Sequence, residues 1–201
     1  MIEGVVNAQR QLAVFSVRSG WTNEPPNDAV MLAGSFRPLH RAHRDLLKAG
    51  WEITGERLTP CFEISIQNVE KPEIAASDLT LRLDQFKCED DIVVITHAAT
   101  FVEKARLMPG TIFAIGYDTA VRLFDDSFYA SAVKGSPAIA ALEELRDLGS
   151  SFVVGGRHDE DGDFKTFHDL SIPRGLESLF VEIPEWRFAD PISSTELRRS
   201  L

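Results

Sequence analysis

The sequence predicts an α/β fold with a mainly parallel sheet. Short apolar runs rich in β-branched residues alternate with segments of helical periodicity, which is typical of repeated strand-helix-strand units. Glycine and proline residues stand between the two kinds of segment, where turns are needed. A length of 201 residues suits one domain with a full hydrophobic core. We therefore expect a single α/β domain.

The first 28 residues do not follow this alternation. Residues 12–17 form a candidate extra strand, and the polar, proline-containing residues 23–28 indicate a linker. We therefore predict an N-terminal extension and linker over 1–28 and the main domain over 29–201.

The first half of the main domain begins with a predicted buried strand at 30–33. A turn shaped by Gly34 and Pro38 follows, and then a helical pattern over 39–48 that Gly50 is expected to end. Phe62, Ile64 and Ile66 alternate with polar residues, which predicts a half-exposed strand. One face of a further helix carries Leu79, Leu83 and Phe86.

The second half repeats the pattern. Thr100 and Glu103 have capping-box spacing and predict a helix through Leu107. Ser136 followed by Pro137 predicts another helix start, with an apolar stripe behind it. Glycines and charges between Gly155 and Phe167 indicate a mobile loop, and a last helix is expected from Ser193. Strands are predicted at 92–95, 112–115, 152–154 and 179–181.

The charge of the chain limits its partners. A formal net charge of −10 argues against extended contact with nucleic acid, which requires a basic face. Basic residues nevertheless crowd the stretch 37–48, where Asp45 is the single acid. Two interpretations stay open for this stretch: a pocket for a small anion, or a solvated helix face.

The cysteines and the apolar runs of the sequence predict where in the cell the protein lies. Cys61 and Cys88 predict no disulfide framework, and neither has metal-ligand spacing to another cysteine or a histidine. No apolar run approaches the ~18 residues of a membrane span, and residues 1–28 lack the order of a signal peptide. We expect a soluble, cytoplasmic protein.

The stretch from Gly34 to His43 predicts an anion site. A strand that ends in Gly34, Ser35 and Phe36 and continues as a helix presents free backbone N–H groups at the positive end of that helix. His40 and His43 are three residues apart, so they share a face of the first helical turn and can point at one phosphate.

The end of the chain carries a second candidate phosphate site. Ser193, Ser194 and Thr195 offer three hydroxyls beside the N–H groups that open the last helix. Arg198 lies on the same helical face, where its fork can bind phosphate oxygens. The alternative for this segment is a well-capped terminal helix without a ligand.

In these two segments the chain resembles the nucleotidyltransferase superfamily with the HIGH motif, which includes nicotinamide mononucleotide adenylyltransferases and cytidylyltransferases. Residues 34–43 match Gly-Ser-Phe-x-Pro-x-His-x-Gly-His, with Ala42 in place of the second glycine. Residues 192–198 match Ile-Ser-Ser-Thr-x-x-Arg without substitution. Similarity to a subgroup of nicotinamide mononucleotide adenylyltransferase-like proteins extends over residues 30–201.

The resemblance implies a Rossmann-like, three-layer α/β/α fold of the HUP nucleotidylyltransferase type. It also implies transfer of AMP from ATP, with Mg²⁺, to a small phosphorylated acceptor such as nicotinamide mononucleotide, with release of pyrophosphate. Cytidylyl transfer is the less favoured variant, and neither nucleic acid nor membrane is an expected partner. The implied roles are catalysis by His40, His43 and Arg198 and nucleotide binding by Gly34, Ser35, Phe36, Gly116, Asp118, Ser193, Ser194 and Thr195.

Several alternatives stay open. Ala42, His97 and Ala99 depart from the pattern of the family. They motivate the alternative of a nucleotide-binding protein that has lost transferase activity, or that only hydrolyses ATP slowly, and acts through partners. An aminoacyl-tRNA synthetase fragment fits poorly, because the chain is acidic and lacks a lysine-rich signature. For Asp118, contact with a ribose hydroxyl and a helix N-cap role are weighed equally. Arg157 is either a phosphate ligand or simply exposed, and Trp186 is expected in the core rather than stacked on a ligand.

Overall fold

The computed structural model of the chain describes residues 2–7, 9–67, 74–129, 135–159 and 162–190. They form an α/β domain in which helices pack on a mixed, mostly parallel sheet. The helices are α1 (Ile2–Val6), α2 (Arg41–Thr54), α3 (Ala76–Leu83), α4 (Phe101–Leu107), α5 (Tyr117–Arg122) and α6 (Pro137–Asp147). The strands are β1 (Leu12–Ser16), β2 (Gly20–Thr22), β3 (Ala29–Ala33), β4 (Thr59–Ser65), β5 (Ile92–Thr96), β6 (Ile112–Gly116), β7 (Ser151–His158), β8 (Phe164–Lys165), β9 (Phe180–Ile183) and β10 (Ala189–Asp190).

The strand order is β10-β7-β6-β3-β4-β5-β1-β2, with β8 and β9 also paired to β7. Strands β3 to β7 run parallel, and β9 and β10 run parallel to β7. The β1–β2 hairpin adds to β5 in the antiparallel direction, so residues 12–22 belong to the same sheet as the main domain. This order is compatible with a Rossmann-like fold.

Helices cover both faces of the sheet. One core contains Val5 of α1, Leu46 of α2 and Leu79 of α3. The other contains Val102 of α4 and Leu142 of α6, together with residues of α5. Burial on both faces explains why the parallel strands are apolar nearly throughout.

Helix α2 is longer than predicted, because Gly50 does not end it. A Cβ on Gly50 would lie 3.0 Å from Val153 and 3.1 Å from Ala114, so the glycine allows the helix to approach the sheet closely. The helix ends instead before Gly55, which has a φ of 85° and suits a left-handed C-cap.

Strand β4 is interior, and the prediction of a half-exposed strand is wrong. It pairs with β3 on one side and β5 on the other, and its side chains contribute to both cores, Phe62 and Ile64 to one and Cys61 to the other. The polar residue that suggested exposure, Glu63, is 1% exposed and is hydrogen-bonded in the core.

The predicted loop between Gly155 and Phe167 contains paired strand residues at both of its ends. Residues 155–158 continue β7, and β8 pairs with them. A Cβ on Gly155 would lie 2.7 Å from Leu46 and from Phe188, and one on Gly156 would lie 2.6 Å from Phe164. The glycines therefore permit close packing within a strand, which the sequence pattern alone does not distinguish from a loop.

Two predicted helix starts are confirmed. The Thr100 hydroxyl accepts a hydrogen bond from the Glu103 N–H at 3.3 Å, and the Glu103 carboxylate accepts one from the Thr100 N–H at 2.8 Å. Ser136 caps α6, with Pro137 as its first residue. Among the described residues, no helix is long and apolar enough to cross a membrane.

Candidate active site

The site lies where the strand order reverses. The chain moves from β3 to β4 and β5 on one side, then returns to place β6 on the other side of β3. In open α/β sheets, the crevice at the carboxyl ends of such a strand pair is the usual ligand site. The segments that leave these two strand ends are residues 34–40 and 116–118, and both contain predicted site residues.

The turn after β3 is held in a compact shape by Gly34 and Phe36. The Gly34 N–H donates to the Glu63 carbonyl at 3.0 Å and so continues the β3–β4 pairing. Phe36 has a φ of 44°, and its buried ring folds back so far that a Cβ on Gly34 would lie 2.9 Å from it. Glycine is therefore required at position 34. The Phe36 ring serves the core rather than a ligand.

His40 and His43 come together at the start of α2, as the spacing predicted. Their rings stack with centroids 3.6 Å apart and an interplanar angle of 27°. The Phe36 ring packs edge-on against His43, with centroids 5.1 Å apart and the planes at 88°. The two imidazoles therefore pack together and, through Phe36, against the turn.

His43 is a neutral hydrogen-bond donor. Its Nδ1 accepts a hydrogen bond from the His40 backbone N–H at 3.3 Å, which leaves the proton of the neutral ring on Nε2. Burial, and to a lesser extent the neighbouring His40, lowers the pKa of His43 to about 4. At neutral pH this side chain can donate to an anion but does not carry a positive charge.

The basic stretch around α2 does not form an unneutralised pocket. Arg41 and Lys48 are exposed and pair along the helix, which agrees with the solvated-face interpretation for them. Arg44 instead ties α2 to the segment before β5 through two hydrogen bonds to Asp91. The pairs are Arg37–Asp78 at 3.9 Å, Arg41–Asp45 at 3.2 Å, Arg44–Asp91 at 2.7 Å and Lys48–Glu52 at 3.9 Å.

Gly116 and Asp118 stand at the end of β6. A Cβ on Gly116 would meet nothing within 4 Å among the described residues, so the backbone borders open space there. Gly116 is the N-cap of α5, and Asp118 lies inside the helix, so the proposed N-cap role for Asp118 is wrong. The Asp118 carboxylate, with a side chain 59% exposed, pairs with Arg157 of β7.

Two clefts are present, one at the end of β6 and one along α2. One, of about 240 Å³, is lined by Tyr117, Asp118, Arg157, Asp159 and Lys165. The other, of about 320 Å³, runs along α2 and is lined by Arg41, Ala42, Asp45, Lys48, Ala49, Glu52 and residues 187–189. Ala42, the residue that differs from the motif, thus faces a cleft.

Trp186, just before residues 187–189, is 78% exposed and stacks on Arg187, so the expectation that it packs in the core is wrong.

The second motif lies outside the described residues. Ser193, Ser194, Thr195 and Arg198 therefore keep the status of predictions. The described chain leads toward the first motif, because Phe188 and Ala189 line the cleft that also contains Ala42. Strand β10 then runs beside Gly156 and Arg157 of β7.

Sequence reasoning missed two residues that contact the turn after β3. Arg82 lies in α3, and Gln85 follows that helix. The Arg82 guanidinium donates to the Ser35 carbonyl at 2.9 Å. The Gln85 amide donates to the Phe36 carbonyl at 2.9 Å and accepts from the Leu39 N–H at 2.8 Å. No local pattern marks these residues, because their partners lie 46 to 49 positions away.

A buried charge network connects β4, β5 and α4 beside the site. Glu63 accepts a hydrogen bond from the Thr96 hydroxyl at 2.6 Å, and Lys104 of α4 lies 3.6 Å from its other oxygen. Burial raises the pKa of the Glu63 carboxyl, while Lys104 and Thr96 oppose that increase. Lys104 also donates to the Ala98 carbonyl at 2.6 Å, which fixes the loop containing His97.

The described residues contain no group of three or more histidine, cysteine, aspartate or glutamate side chains placed to hold a metal ion. Comparisons of the chain with protein-family models, with curated proteins and with solved structures found no match.

Proposed function

We propose that the protein is a nucleotidyltransferase of the Rossmann-like HUP type that transfers AMP from ATP to a small phosphorylated acceptor. The observation that carries the proposal is the stacked His40–His43 pair at the start of α2, beside the point where the strand order reverses. Helix N-termini attract phosphates through their free N–H groups and their dipole. Nicotinamide mononucleotide is the first acceptor to test, because of the sequence resemblance.

The reaction needs positioning more than proton transfer. A phosphate oxygen of the acceptor forms a bond to the α-phosphorus, the bond from that phosphorus to the bridging oxygen breaks, and pyrophosphate leaves with the electron pair. Because the attacking oxygen is already ionised near neutral pH, no general base is required. The neutral His43 ring donates its Nε2–H to an oxygen on the α-phosphorus, where charge accumulates in the transition state.

The remaining phosphate contacts are assigned to the second motif. Ser193, Ser194, Thr195 and Arg198 would hold the β- and γ-phosphates, and this assignment rests on the resemblance. The approach of Phe188 and Ala189 to the cleft beside Ala42 supports it. Mg²⁺ enters as the ATP complex, held by phosphate oxygens and water, as is common for this ion.

The test measures pyrophosphate release from ATP, Mg²⁺ and a panel of phosphorylated acceptors, with two near-isosteric variants of His43. His43→Asn retains an acceptor near the position of Nδ1 but lacks the distal donor, whereas His43→Gln places an amide donor near the position of Nε2. We expect His43→Asn to lower kcat by about 10²–10³-fold and His43→Gln to lower it less. His168→Ala, which removes an exposed histidine paired with Glu182, is the control. Unchanged turnover in His43→Asn would remove the catalytic role.

A second candidate function is nucleotide binding without transfer. The position of Ala42 in the cleft along α2 favours it, because the added methyl group narrows the space beside the first helical turn. The pairing of Asp118 with Arg157 also engages the carboxylate that the resemblance assigns to a ribose. Calorimetric binding of ATP with no product from any acceptor would select this function, and dinucleotide synthesis would exclude it.

A further inference from the structure

The turn after β3 presents a row of backbone donors. Among the described residues, no acceptor receives the N–H groups of Ser35, Phe36 and Arg37, although the neighbouring Gly34 and Leu39 N–H groups are both bonded. Phe36 has the positive φ that curves successive N–H groups into a concavity. Such concavities bind phosphates and other anions. The shape of this turn is therefore critical if the proposed function is correct.

The carbonyl groups of the same turn are held from the opposite side. Ser35 and Phe36 offer their carbonyls to Arg82 and Gln85, at 2.9 Å each. In a trans peptide the carbonyl and the following N–H point in opposite directions. Holding these two carbonyls toward α3 therefore directs the N–H groups of Phe36 and Arg37 away from α3.

We propose that Arg82 and Gln85 are positioning residues that hold the 34–39 turn in its phosphate-binding shape. This inference rests on the proposed function and extends it to two residues that the motif does not contain. Neither side chain needs to touch the nucleotide. Both act through the backbone of the turn.

The chemistry of each side chain fits this role. Arg82 is 7% exposed, and Asp78 balances its charge through hydrogen bonds of 2.5 and 3.1 Å, which also fix the direction of the guanidinium. Gln85 bridges two points of the turn with one amide, donating to Phe36 and accepting from Leu39. Glutamine can do both at once, whereas a glutamate can only accept.

Gln85→Glu is therefore the sharpest variant. It keeps the size of the side chain and the acceptor for Leu39, but it loses the donor to the Phe36 carbonyl and places two oxygens together. Gln85→Met removes its contacts without changing the charge, whereas Arg82→Met removes the contact to Ser35 together with the positive charge that Asp78 balances. Gln11→Glu makes the same substitution at an exposed position, and Leu145→Ala lowers stability from the core on the other face of the sheet.

The experiment measures calorimetric affinity for Mg²⁺–ATP, for inorganic triphosphate and for adenosine in the full chain. We expect Gln85→Glu, Gln85→Met and Arg82→Met each to weaken ATP and triphosphate binding by about tenfold and to leave adenosine binding unchanged. Leu145→Ala and Gln11→Glu should not change the ratio of triphosphate to adenosine affinity, which separates positioning from general stability. Amide hydrogen exchange at Leu39 should accelerate in Gln85→Met, which removes the acceptor of the Leu39 N–H.

Two results would overturn the inference in distinguishable ways. If the wild type binds triphosphate and the three turn variants bind it equally well, Arg82 and Gln85 do not position the turn for phosphate, although the proposed function survives. If the wild type binds neither ATP nor triphosphate, the proposed function fails and the phosphate-positioning role fails with it.

Discussion

The environment of His43 makes the stability of the protein depend on pH. The pKa of this side chain is about 4 in the folded chain, against about 6.5 when it is unfolded. Between these values the unfolded chain binds a proton that the folded chain does not, so the free energy of unfolding falls as pH falls. One pKa unit corresponds to about 1.4 kcal/mol, so the difference between these two pKa values corresponds to about 3 kcal/mol of stability, most of which is lost across this pH window.

His43→Asn tests this dependence. The asparagine carbonyl can still accept the hydrogen bond from the His40 N–H, but the side chain does not titrate. We expect urea denaturation between pH 4 and 7 to show a smaller loss of stability in this variant than in the wild type. His168→Asn, at an exposed site, should keep the wild-type slope. An identical slope in all three proteins would contradict the burial-based origin of the lowered pKa.

At the residue scale the sequence predicted the placement of His40 and His43 better than the protonation state of His43. The spacing of His40 and His43 placed them on one face, and the structure stacks them. That His43 is neutral depends on the Phe36 ring and the surrounding core, and no spacing rule contains this information. The same limit applies to Arg157, whose partner Asp118 lies 39 positions away.

Elements with strong local signals were predicted well. The caps at Thr100 and Ser136 specify their helices because the hydrogen bonds involved are local. Errors arose at glycines, because a glycine can either end a helix or strand or allow close packing inside one. Gly50 and Gly155 resemble helix and strand terminators, but both allow close packing in the interior of an element. Only the packed neighbours distinguish these two roles. They are Ala114 and Val153 for Gly50, and Leu46 and Phe188 for Gly155.

The Glu63–Lys104 pair is the element-scale feature with the largest expected effect on stability. It ties α4 to β4 in the core, and both side chains are nearly inaccessible. Lys104→Met would leave the Glu63 carboxyl buried without its cation, and we expect a loss of about 3–5 kcal/mol. Adding Glu63→Gln, which preserves an acceptor for Thr96, should recover part of this loss.

A double-mutant cycle by urea denaturation measures this coupling. Lys48→Met, at the exposed Lys48–Glu52 pair, is the control and should cost less than about 1 kcal/mol. If the double variant Glu63→Gln/Lys104→Met were no more stable than Lys104→Met alone, the cost would come from lost packing rather than from the unpaired carboxyl.

For the whole molecule, the sequence predicted parallel strands but not their order. Alternating strand and helix signals imply βαβ units, yet β6 pairs with β3 across two intervening strands in sequence, and nothing local specifies that pairing. The order matters because it places residues 34–40 and 116–118 at the carboxyl ends of adjacent strands, where open α/β sheets usually bind ligands.

The position of these two strand ends predicts where ATP should protect the chain. Hydrogen exchange followed by mass spectrometry, with and without Mg²⁺–ATP, should show slower exchange at residues 33–43 and 115–119. These segments leave adjacent strands at the reversal of strand order, so one bound nucleotide can reach both. The β1–β2 hairpin at 12–22 is the internal control, because β4 and β5 separate it from β3.

The two candidate functions share this protection pattern and differ in whether a product forms. Protection of both segments together with pyrophosphate release supports transfer, whereas the same protection without product in any acceptor mixture supports a binding protein. Protection of 33–43 alone would mean that the nucleotide lies over α2 and does not cross to β6. In that case the open space beside Gly116 would be left for the acceptor, and phosphorylated acceptors added without ATP should then protect residues 115–119.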